Sequence, residues 1–401
     1  MASKISAPQP WRRLDPRANI VRLALTAATF QAACTAGPAL ERSKVNLSNF
    51  IDPKKELLIS NLSVIEDPAR TLDPCDVGEE PLPPWSFGKI MQIVADQAGA
   101  PDASSFVKDW LDTWTVEQVV NGHILSPLPI DQIITTPWLA ESGGERLDLG
   151  RARFRLLSII NRLDLAAQDG KGEFRMEFVG TKEHCLPVRI WVIFEFELAV
   201  ECMADLQALA QRWHELGDLP FGEEYNAALQ SITDELTLAH LKHVNTVEEE
   251  ASVLEWNYRS FALVDGSLVN VPLFQSPDAF DGHNPDLISW VNANQEAILA
   301  DQHVVPEELL GGDTRNFDWD GFGFEDPVEV RFHFGLATCS GCHNGETGTS
   351  SIHMSWRHHG EAPLPSRYMT GETIQDPGGM WRDFNELQRR ADYLQGLLSQ
   401  P

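Results

Sequence analysis

Three runs of strand-forming residues near the middle of the chain constrain its fold more than any other feature. They cover residues 154–160, 174–179 and 188–198, are rich in Ile, Val, Phe and Trp, and are separated by turns that contain Gly or Pro. The last run is almost wholly apolar at its start and alternates with acidic residues at its end, as expected for a central strand that emerges toward solvent. Consecutive strands with such short connections predict an antiparallel meander.

Helical patterns flank these strands. Most have apolar residues at every third or fourth position, and they cover 87–97, 106–119, 203–216, 225–239, 287–299 and 381–398. Asp265 and Gly266 separate two further strand-like runs and predict a hairpin. The predicted fold class is therefore α+β, in which an antiparallel sheet meander with packed helices is followed by a small C-terminal segment.

That C-terminal segment contains a Cys-x-x-Cys-His motif, made of Cys339, Cys342 and His343. This pattern is the attachment signature of c-type haem. Two thiols at this spacing can each form a thioether with one vinyl side of the porphyrin, and the next residue then lies beneath the iron. We therefore expect one covalent haem c, with Cys339 and Cys342 as anchors and His343 as the proximal iron ligand.

The second axial ligand remains open at this stage. His353 is the first candidate, Met369 and Met354 are alternatives, and a five-coordinate iron is a further one. The same motif also allows other chemistry, because Cys339, Cys342, His343 and His353 could together hold a tetrahedral zinc ion. The two motif cysteines could instead form a disulfide.

Two other groups of residues have spacings that metal ligands can have. Asn316, Asp318 and Asp320 alternate and precede a glycine, as at the start of a calcium loop. Pro327 stands where that loop needs a glutamate, so an acidic solvated turn is the preferred interpretation. His240 and His243 are spaced to share one face of a predicted helix, which we interpret as solvated.

The N-terminus resembles a bacterial lipoprotein export signal. Basic residues precede a mostly apolar stretch at 20–30, and two alanines then precede Cys34, the candidate for lipidation. Arg22 interrupts the apolar stretch, and Gln31 replaces the leucine that such signals prefer. These features predict a location in the periplasm or at the cell surface, with a lipid anchor at Cys34 as an open question.

The remaining cysteines are Cys75, Cys185 and Cys202, so at most one disulfide can form among them. Cys185 and Cys202 flank a predicted strand, whose straight length would hold them too far apart to bridge. Pairing of Cys75 with either of the other two stays open.

Charge and hydropathy exclude some partners. The chain has 31 Lys and Arg residues against 59 Asp and Glu residues, which gives a net charge of -28. Such a chain repels phosphate backbones, so nucleic acid is not an expected partner. No transmembrane segment is predicted, because no apolar run beyond the N-terminus is long enough. Arg162, Asp164, Glu173 and Arg175 lie beside apolar strands and predict an ion-pair cluster at one end of the sheet.

Composition divides the chain into four parts. They are an export signal at 1–42, a Pro-rich connector at 43–84, an α+β body at 85–300 and a C-terminal segment with the motif at 301–401.

Several stretches around these features resemble an uncharacterised family of exported bacterial proteins, common among myxobacteria-like organisms, that carry a single Cys-x-x-Cys-His motif near the C-terminus. The matching residues are 85–88, 106–111, 154–165, 172–175, 192–195, 334–347, His353, Arg357, Gly360 and 369–371. The resemblance covers roughly residues 65 to 395. It implies export and a single haem c, and it implies no particular activity.

We expect an exported monohaem protein that acts in electron transfer or redox binding with an unidentified redox partner protein. The alternative is an exported binding or structural protein without haem, in which the motif forms a disulfide or a Cys/His metal site. An enzyme, such as a peroxidase or dehydrogenase, would need an open sixth position on the iron.

Overall fold

The computed structural model describes residues 50–250, 255–277, 283–314, 319–349 and 352–399. The strands are β1 (Leu58–Ile59), β2 (Gln118–Val120), β3 (His123–Leu125), β4 (Phe154–Arg162), β5 (Glu173–Thr181), β6 (Pro187–Glu197), β7 (Leu241–Glu250), β8 (Glu255–Val264), β9 (Ser267–Val271), β10 (Asp313–Thr314), β11 (Glu372–Gln375) and β12 (Trp381–Phe384). The helices are α1 (Pro53–Glu56), α2 (Leu62–Ile65), α3 (Phe87–Gln97), α4 (Ala103–Asp112), α5 (Thr136–Glu141), α6 (Ala166–Asp169), α7 (Met203–Glu215), α8 (Glu223–Leu236), α9 (Pro285–Ala293), α10 (Gln295–Leu299), α11 (Glu329–Ala337), α12 (Arg367–Thr370) and α13 (Glu386–Ser399).

One eight-stranded antiparallel sheet organises the described chain. Its strand order is β1-β4-β5-β6-β7-β8-β10, and β9 also pairs with β8. The strands β4 to β8 each pair with the next strand in sequence. Short connections join β5 to β6 and β7 to β8, as antiparallel neighbours allow, whereas α7 and α8 lie between β6 and β7. The α+β class and the meander are therefore confirmed.

One surface of this sheet, called here the inner face, packs against helices. Phe174, Met176 and Phe178 alternate along β5 and are fully buried in the main hydrophobic core. The ring of Phe87, on α3, stacks on Phe154 at 4.1 Å between centroids. Helix α3 begins at this point because the Ser86 hydroxyl accepts a hydrogen bond from the Lys89 amide at 3.2 Å.

The opposite surface, called the outer face, carries a second hydrophobic cluster. We call it the outer-face cluster, and its buried members are Leu157, Val179, Trp191, Val247, Trp256, Tyr258 and Leu273. The C-terminal part of the chain covers this cluster, since Cys339 and Ile352 pack against it. The Trp191 indole also donates a hydrogen bond to the Met354 carbonyl at 3.2 Å.

Some local predictions were wrong. The helix predicted over 106–119 ends at Asp112, and residues 118–120 form β2 instead. His243 lies on β7 rather than on a helix, and residues 381–384 form β12 before the last helix begins at Glu386.

The segment predicted as a connector contributes to the sheet. Its residues Leu58 and Ile59 form β1, which pairs with Ile160 and Ile159 of β4. Cys75, in the same segment, forms a disulfide with Cys185 at a Cα–Cα distance of 5.6 Å. This is one of the two pairings that the sequence left open.

The predicted export signal at 1–42 and the lipid-anchor candidate Cys34 lie outside the described residues. Within the described part of the chain, no helix is both long enough and apolar enough to cross a membrane.

Candidate functional site

The Cys-x-x-Cys-His motif follows directly after helix α11, and the Thr338 side chain fixes the chain direction there. Its hydroxyl donates to the Gly335 carbonyl at 2.7 Å and accepts from the Gly341 amide at 3.1 Å. It also accepts from the Trp319 indole at 3.1 Å. One donor and two lone pairs are the full capacity of a hydroxyl, so Thr338 is satisfied in this geometry.

Gly341, between the two motif cysteines, is required by close packing. A Cβ atom at this position would lie 1.9 Å from the Gly335 carbonyl oxygen. That contact is with helix backbone, which cannot move aside without unwinding the end of α11. Residues Gly341–Gly345 can therefore form the π-helical turn that carries Cys342 and His343. We call residues 338–345 the motif turn.

The thiols of Cys339 and Cys342 are not bridged to each other. Both side chains are half-buried, Cys339 against the outer-face cluster and Cys342 against the main core. The Cys339 amide donates to the Ser276 hydroxyl at 2.8 Å.

Two threonines that follow the motif hold its backbone. The Thr347 hydroxyl donates to the Cys342 carbonyl at 2.7 Å, and the Thr349 hydroxyl donates to the His343 carbonyl at 2.7 Å. The motif turn is thus fixed at both ends by side-chain hydrogen bonds.

The structure brings His353 to the motif, as the sequence predicted for a ligand candidate. The His343 and His353 ring centroids are 4.2 Å apart, and the Cys342 sulfur lies 3.5 Å from His353 Nε2. Tyr258 packs on His343 and Tyr368 packs on His353, at 5.0 and 4.9 Å between centroids. Two imidazole nitrogens on opposite sides of one metal lie about 4 Å apart, with the ring centres farther still. Axial ligation by both histidines therefore requires the rings to separate.

The electrostatics of the motif favour neutral groups. Burial raises the pKa of the Cys342 thiol to about 11, and the Glu386 carboxylate acts in the same direction. Burial also lowers the pKa of His353 well below its usual value, and the charges of His343 and Arg390 lower that pKa further. His353 Nδ1 is buried and has no hydrogen-bond partner among the described residues.

Met354 and Met369, the alternative distal ligands, are buried in the main hydrophobic core at 2% and 3% exposure. No described group of three motif residues has all its ligand atoms within 4.8 Å of one another. The described group that meets this distance is Asp73, Cys75 and Cys185, and its two cysteines are joined in the disulfide.

A buried ion-pair network joins helix α11, which precedes the motif turn, to Glu346, which follows it. The Arg331 guanidinium bonds to Glu346, to Asp376 at 2.9 Å and to the Trp319 carbonyl at 3.1 Å. All three charged side chains are at most 1% exposed. Burial raises the pKa of Glu346 to about 7, against the effect of Arg331. No sequence pattern indicated this network, although Glu346 lies only three residues after His343.

The ion-pair cluster predicted at the end of the sheet lies next to the motif. Arg162 pairs with Asp164 at 2.9 Å, and Arg175 pairs with Glu173 and Glu195. Three residues of α13 that were not predicted also join the cluster: Glu386, Arg389 and Arg390. The Glu386, Arg389 and Arg390 pattern, at spacings of three and four on a helix, was the available signal.

The calcium candidate is only partly within the described residues. Asn316 and Asp318 lie outside them, and Asp320 is 59% exposed beside His283, at 3.3 Å. The preferred interpretation, an acidic solvated turn, and the calcium alternative both stay untested.

Comparison of the chain with protein-family models, with curated proteins and with solved structures finds no match.

Proposed function

We propose that this protein is an exported c-type monohaem protein that exchanges electrons with a redox partner protein. The observation that carries the proposal is the motif turn, which presents two unbridged thiols and the His343 imidazole within one helical turn. A haem bound there would supply one-electron redox chemistry.

Apolar and aromatic surface borders one side of the motif turn, as a porphyrin needs. Cys339 packs against the outer-face cluster, in which Trp191, Trp256 and Tyr258 supply aromatic surface. This cluster keeps water from one side of the turn. Gly341 leaves the backbone without a side chain where it approaches α11, and Thr338 holds that backbone in place.

Neutral side chains suit this chemistry better than they suit thiol exchange. A Cys342 thiol with a raised pKa carries little thiolate at pH 7, whereas exchange needs the thiolate. His353 with a lowered pKa is a neutral imidazole, which is the form that ligates a metal. His353 is therefore our first choice as distal ligand, and its ring would have to move away from that of His343 to bind on the opposite side of the iron. Met369 and Met354 remain alternatives.

Export to the periplasm or cell surface is part of the proposal. The Cys75–Cys185 disulfide supports it, because such bonds persist in oxidising compartments. The segment at 1–42, which contains Cys34, would act as the export signal.

The test is covalent haem on a denaturing gel. The full chain is produced in a host with c-type maturation machinery, denatured and stained for haem. We expect staining of the wild type and none of the Cys339→Ala/Cys342→Ala variant. The matched control, Cys75→Ala/Cys185→Ala, removes two other cysteines and should keep the stain in whatever protein accumulates. A colourless wild type contradicts the proposal.

The ligand assignment is tested separately by absorbance. His343→Ala should keep covalent haem and lose the low-spin spectrum. His359→Ala, at a histidine with 67% side-chain exposure, is the control and should leave the spectrum unchanged. An unchanged spectrum in His343→Ala would refute His343 as the proximal ligand.

A Cys/His metal site without haem is the second candidate, and the 3.5 Å contact between Cys342 and His353 favours it. In that case the purified protein is colourless and contains bound zinc, which the Cys342→Ala variant loses.

A further inference from the structure

The Cys75–Cys185 disulfide joins two surface segments and is accessible to solvent. Cys75 lies between α2 and α3, and Cys185 lies in the turn between β5 and β6. The Cys75 side chain is exposed, and that of Cys185 is half-buried. A thiolate must reach one of the two sulfur atoms to open such a bond, so exposure of Cys75 permits direct attack.

The backbone on the Cys185 side of the bond is strained. His184 and Cys185 have φ angles of 59° and 54°, in the left-handed region that residues with a Cβ atom disfavour. Strain of this kind persists only where the surrounding structure imposes it, and the bond to Cys75 holds Cys185 in place. Opening the bond would let the turn relax. Backbone strain therefore favours reduction of this disulfide.

A carboxylate lies beside both sulfur atoms. One Asp73 oxygen is within 4.8 Å of the sulfur of Cys75 and of the sulfur of Cys185. The carboxylate is fixed there because it accepts hydrogen bonds from Arg155 Nε at 3.0 Å and from the Cys75 amide at 2.9 Å. In this position it can accept the proton of an attacking thiol.

The second motif cysteine has the opposite surroundings. Cys342 packs against the main core, and burial raises the pKa of its thiol to about 11. Such a thiol carries little thiolate at neutral pH and is shielded from a partner. Exposure, backbone strain and a neighbouring carboxylate instead coincide at Cys75 and Cys185.

We propose that Cys75 and Cys185 form a reversible thiol–disulfide exchange site for a dithiol partner. The partner's thiolate attacks the exposed Cys75 sulfur, the bond between the two sulfur atoms breaks, and Cys185 leaves as a thiolate that takes up a proton. The partner's second thiolate then attacks the partner sulfur of the mixed disulfide and releases Cys75. The chain gains two electrons and two protons, and the partner leaves as a disulfide. This exchange does not depend on haem.

Reduction kinetics of the folded full chain test the site. The wild type is mixed with increasing concentrations of dithiothreitol as the dithiol. Mass spectrometry of alkylated peptides reports Cys75 and Cys185 separately from Cys339 and Cys342. Direct attack predicts a rate that rises in proportion to the dithiothreitol concentration, while circular dichroism shows that the fold is retained. A rate that levels off at the rate of unfolding, or a chain that unfolds on reduction, overturns the proposal.

His184→Gly tests the contribution of backbone strain. Glycine adopts a φ of 59° without a steric penalty, so the oxidised chain loses part of its strain. The equilibrium constant for reduction in glutathione buffers should fall by about fivefold. Asp265→Gly is the matched control, because it makes the same kind of change at a φ of 50° in the β8–β9 hairpin and should leave that constant unchanged. A folded His184→Gly chain that is reduced as readily as the wild type contradicts the proposal.

Single cysteine variants test which sulfur is attacked. Cys185→Ser leaves Cys75 as an exposed thiol, and Cys75→Ser leaves Cys185 as a half-buried one. The first variant should form a mixed disulfide with oxidised glutathione about tenfold faster than the second, because its sulfur is easier to reach. Equal rates in the two folded variants would overturn the proposed attack at Cys75.

Discussion

The inner and outer faces of the same sheet differ sharply, although their residues alternate along the same strands. On β5, Phe174, Met176 and Phe178 point into the main core, whereas Glu173, Arg175 and Glu177 point to the opposite side. The inner face is filled mainly by aromatic rings and aliphatic side chains, although the buried pair of Glu248 and Arg259 also lies on it. The outer face combines aromatic side chains with buried charges, and it carries the motif turn.

The difference indicates a division of roles between the two faces. Burial of apolar side chains stabilises the fold directly. Buried carboxylates such as Glu177 and Glu195, whose pKa values burial raises to about 7, are less favourable than apolar side chains would be. Groups of this kind concentrate at functional sites. We therefore expect stability to depend mainly on the inner face and the proposed function to depend on the outer one.

The largest expected effect is on the inner face. Phe87→Ala removes a ring that contacts Phe154 at 4.1 Å and Phe178 at 5.5 Å. It should lower the free energy of unfolding by about 3–5 kcal/mol, because it leaves a cavity in a dense core. Urea unfolding measures the loss. If the comparison holds, the folded fraction still attaches haem, and a folded variant without haem would contradict the division of roles.

The second prediction concerns the network behind the motif turn. Arg331→Met leaves Glu346 and Asp376 buried without their shared cation and should destabilise the protein by about 3 kcal/mol. Unlike Phe87→Ala, it should also reduce haem attachment per folded molecule, because Arg331 holds the residues around the turn. Thermal melting and gel haem staining together measure both effects.

Arg212→Met is the control for this second prediction. It breaks an exposed pair with Glu235 and should cost less than about 1 kcal/mol, with normal haem attachment. Equal attachment in the folded Arg331→Met and Arg212→Met variants would show that the network serves stability alone.

The inner face could be predicted from the sequence better than the outer one. Apolar residues at helical spacing gave α3 with its observed limits, 87–97, and apolar runs gave β4, β5 and β6 within a few residues. Strand β7 was missed, because Lys242, His243 and Asn245 break the apolar pattern where they face the charged outer side. The spacing of apolar residues in a sequence indicates strands and helices that are buried against apolar groups. It does not indicate a strand such as β7, one side of which is buried against charged groups.

The candidate site was predictable only in its local part. Cys339, Cys342 and His343 form a motif in sequence, and His353 was chosen because it is near in sequence. Arg390 and Tyr368 approach the motif only after α12 and α13 fold back toward it, which sequence spacing does not reveal. The need for glycine at position 341 could not be predicted either, because it arises from the contact that a Cβ atom would make with the Gly335 carbonyl oxygen.

The third prediction concerns the pH dependence of stability that a buried carboxylate of the outer face causes. The pKa of Glu177 is raised by burial to about 7 from an ordinary value of 4.5, so the folded state binds the proton more tightly than the unfolded state. Stability therefore falls as pH rises between about 4.5 and 7. Glu177→Gln removes this pH-dependent loss of stability. It keeps an acceptor for the Ser158 hydroxyl, which donates a hydrogen bond to Glu177 at 2.9 Å.

The free energy of unfolding of Glu177→Gln, relative to that of the wild type, should rise by about 2 kcal/mol from pH 5 to pH 8. Urea unfolding at both pH values measures this difference. Glu117→Gln, at an exposed glutamate, is the control and should follow the wild type. A constant difference between Glu177→Gln and wild type across this range would mean that Glu177 is ionised in the folded protein throughout.

The smallest expected effect tests how the C-terminal chain is held on the outer face. Trp191→Phe keeps an aromatic ring in the outer-face cluster and removes the hydrogen bond to the Met354 carbonyl, so it should cost about 1 kcal/mol. Because the bond joins the sheet to residues 352–354, amide exchange should accelerate there and stay unchanged in β5.

Trp256→Phe is the control: its ring lies 5.4 Å from that of Trp191, and its indole makes no hydrogen bond to the described residues 352–370. Equal acceleration in both variants would mean that ring packing, rather than this hydrogen bond, holds the segment that brings His353 to His343.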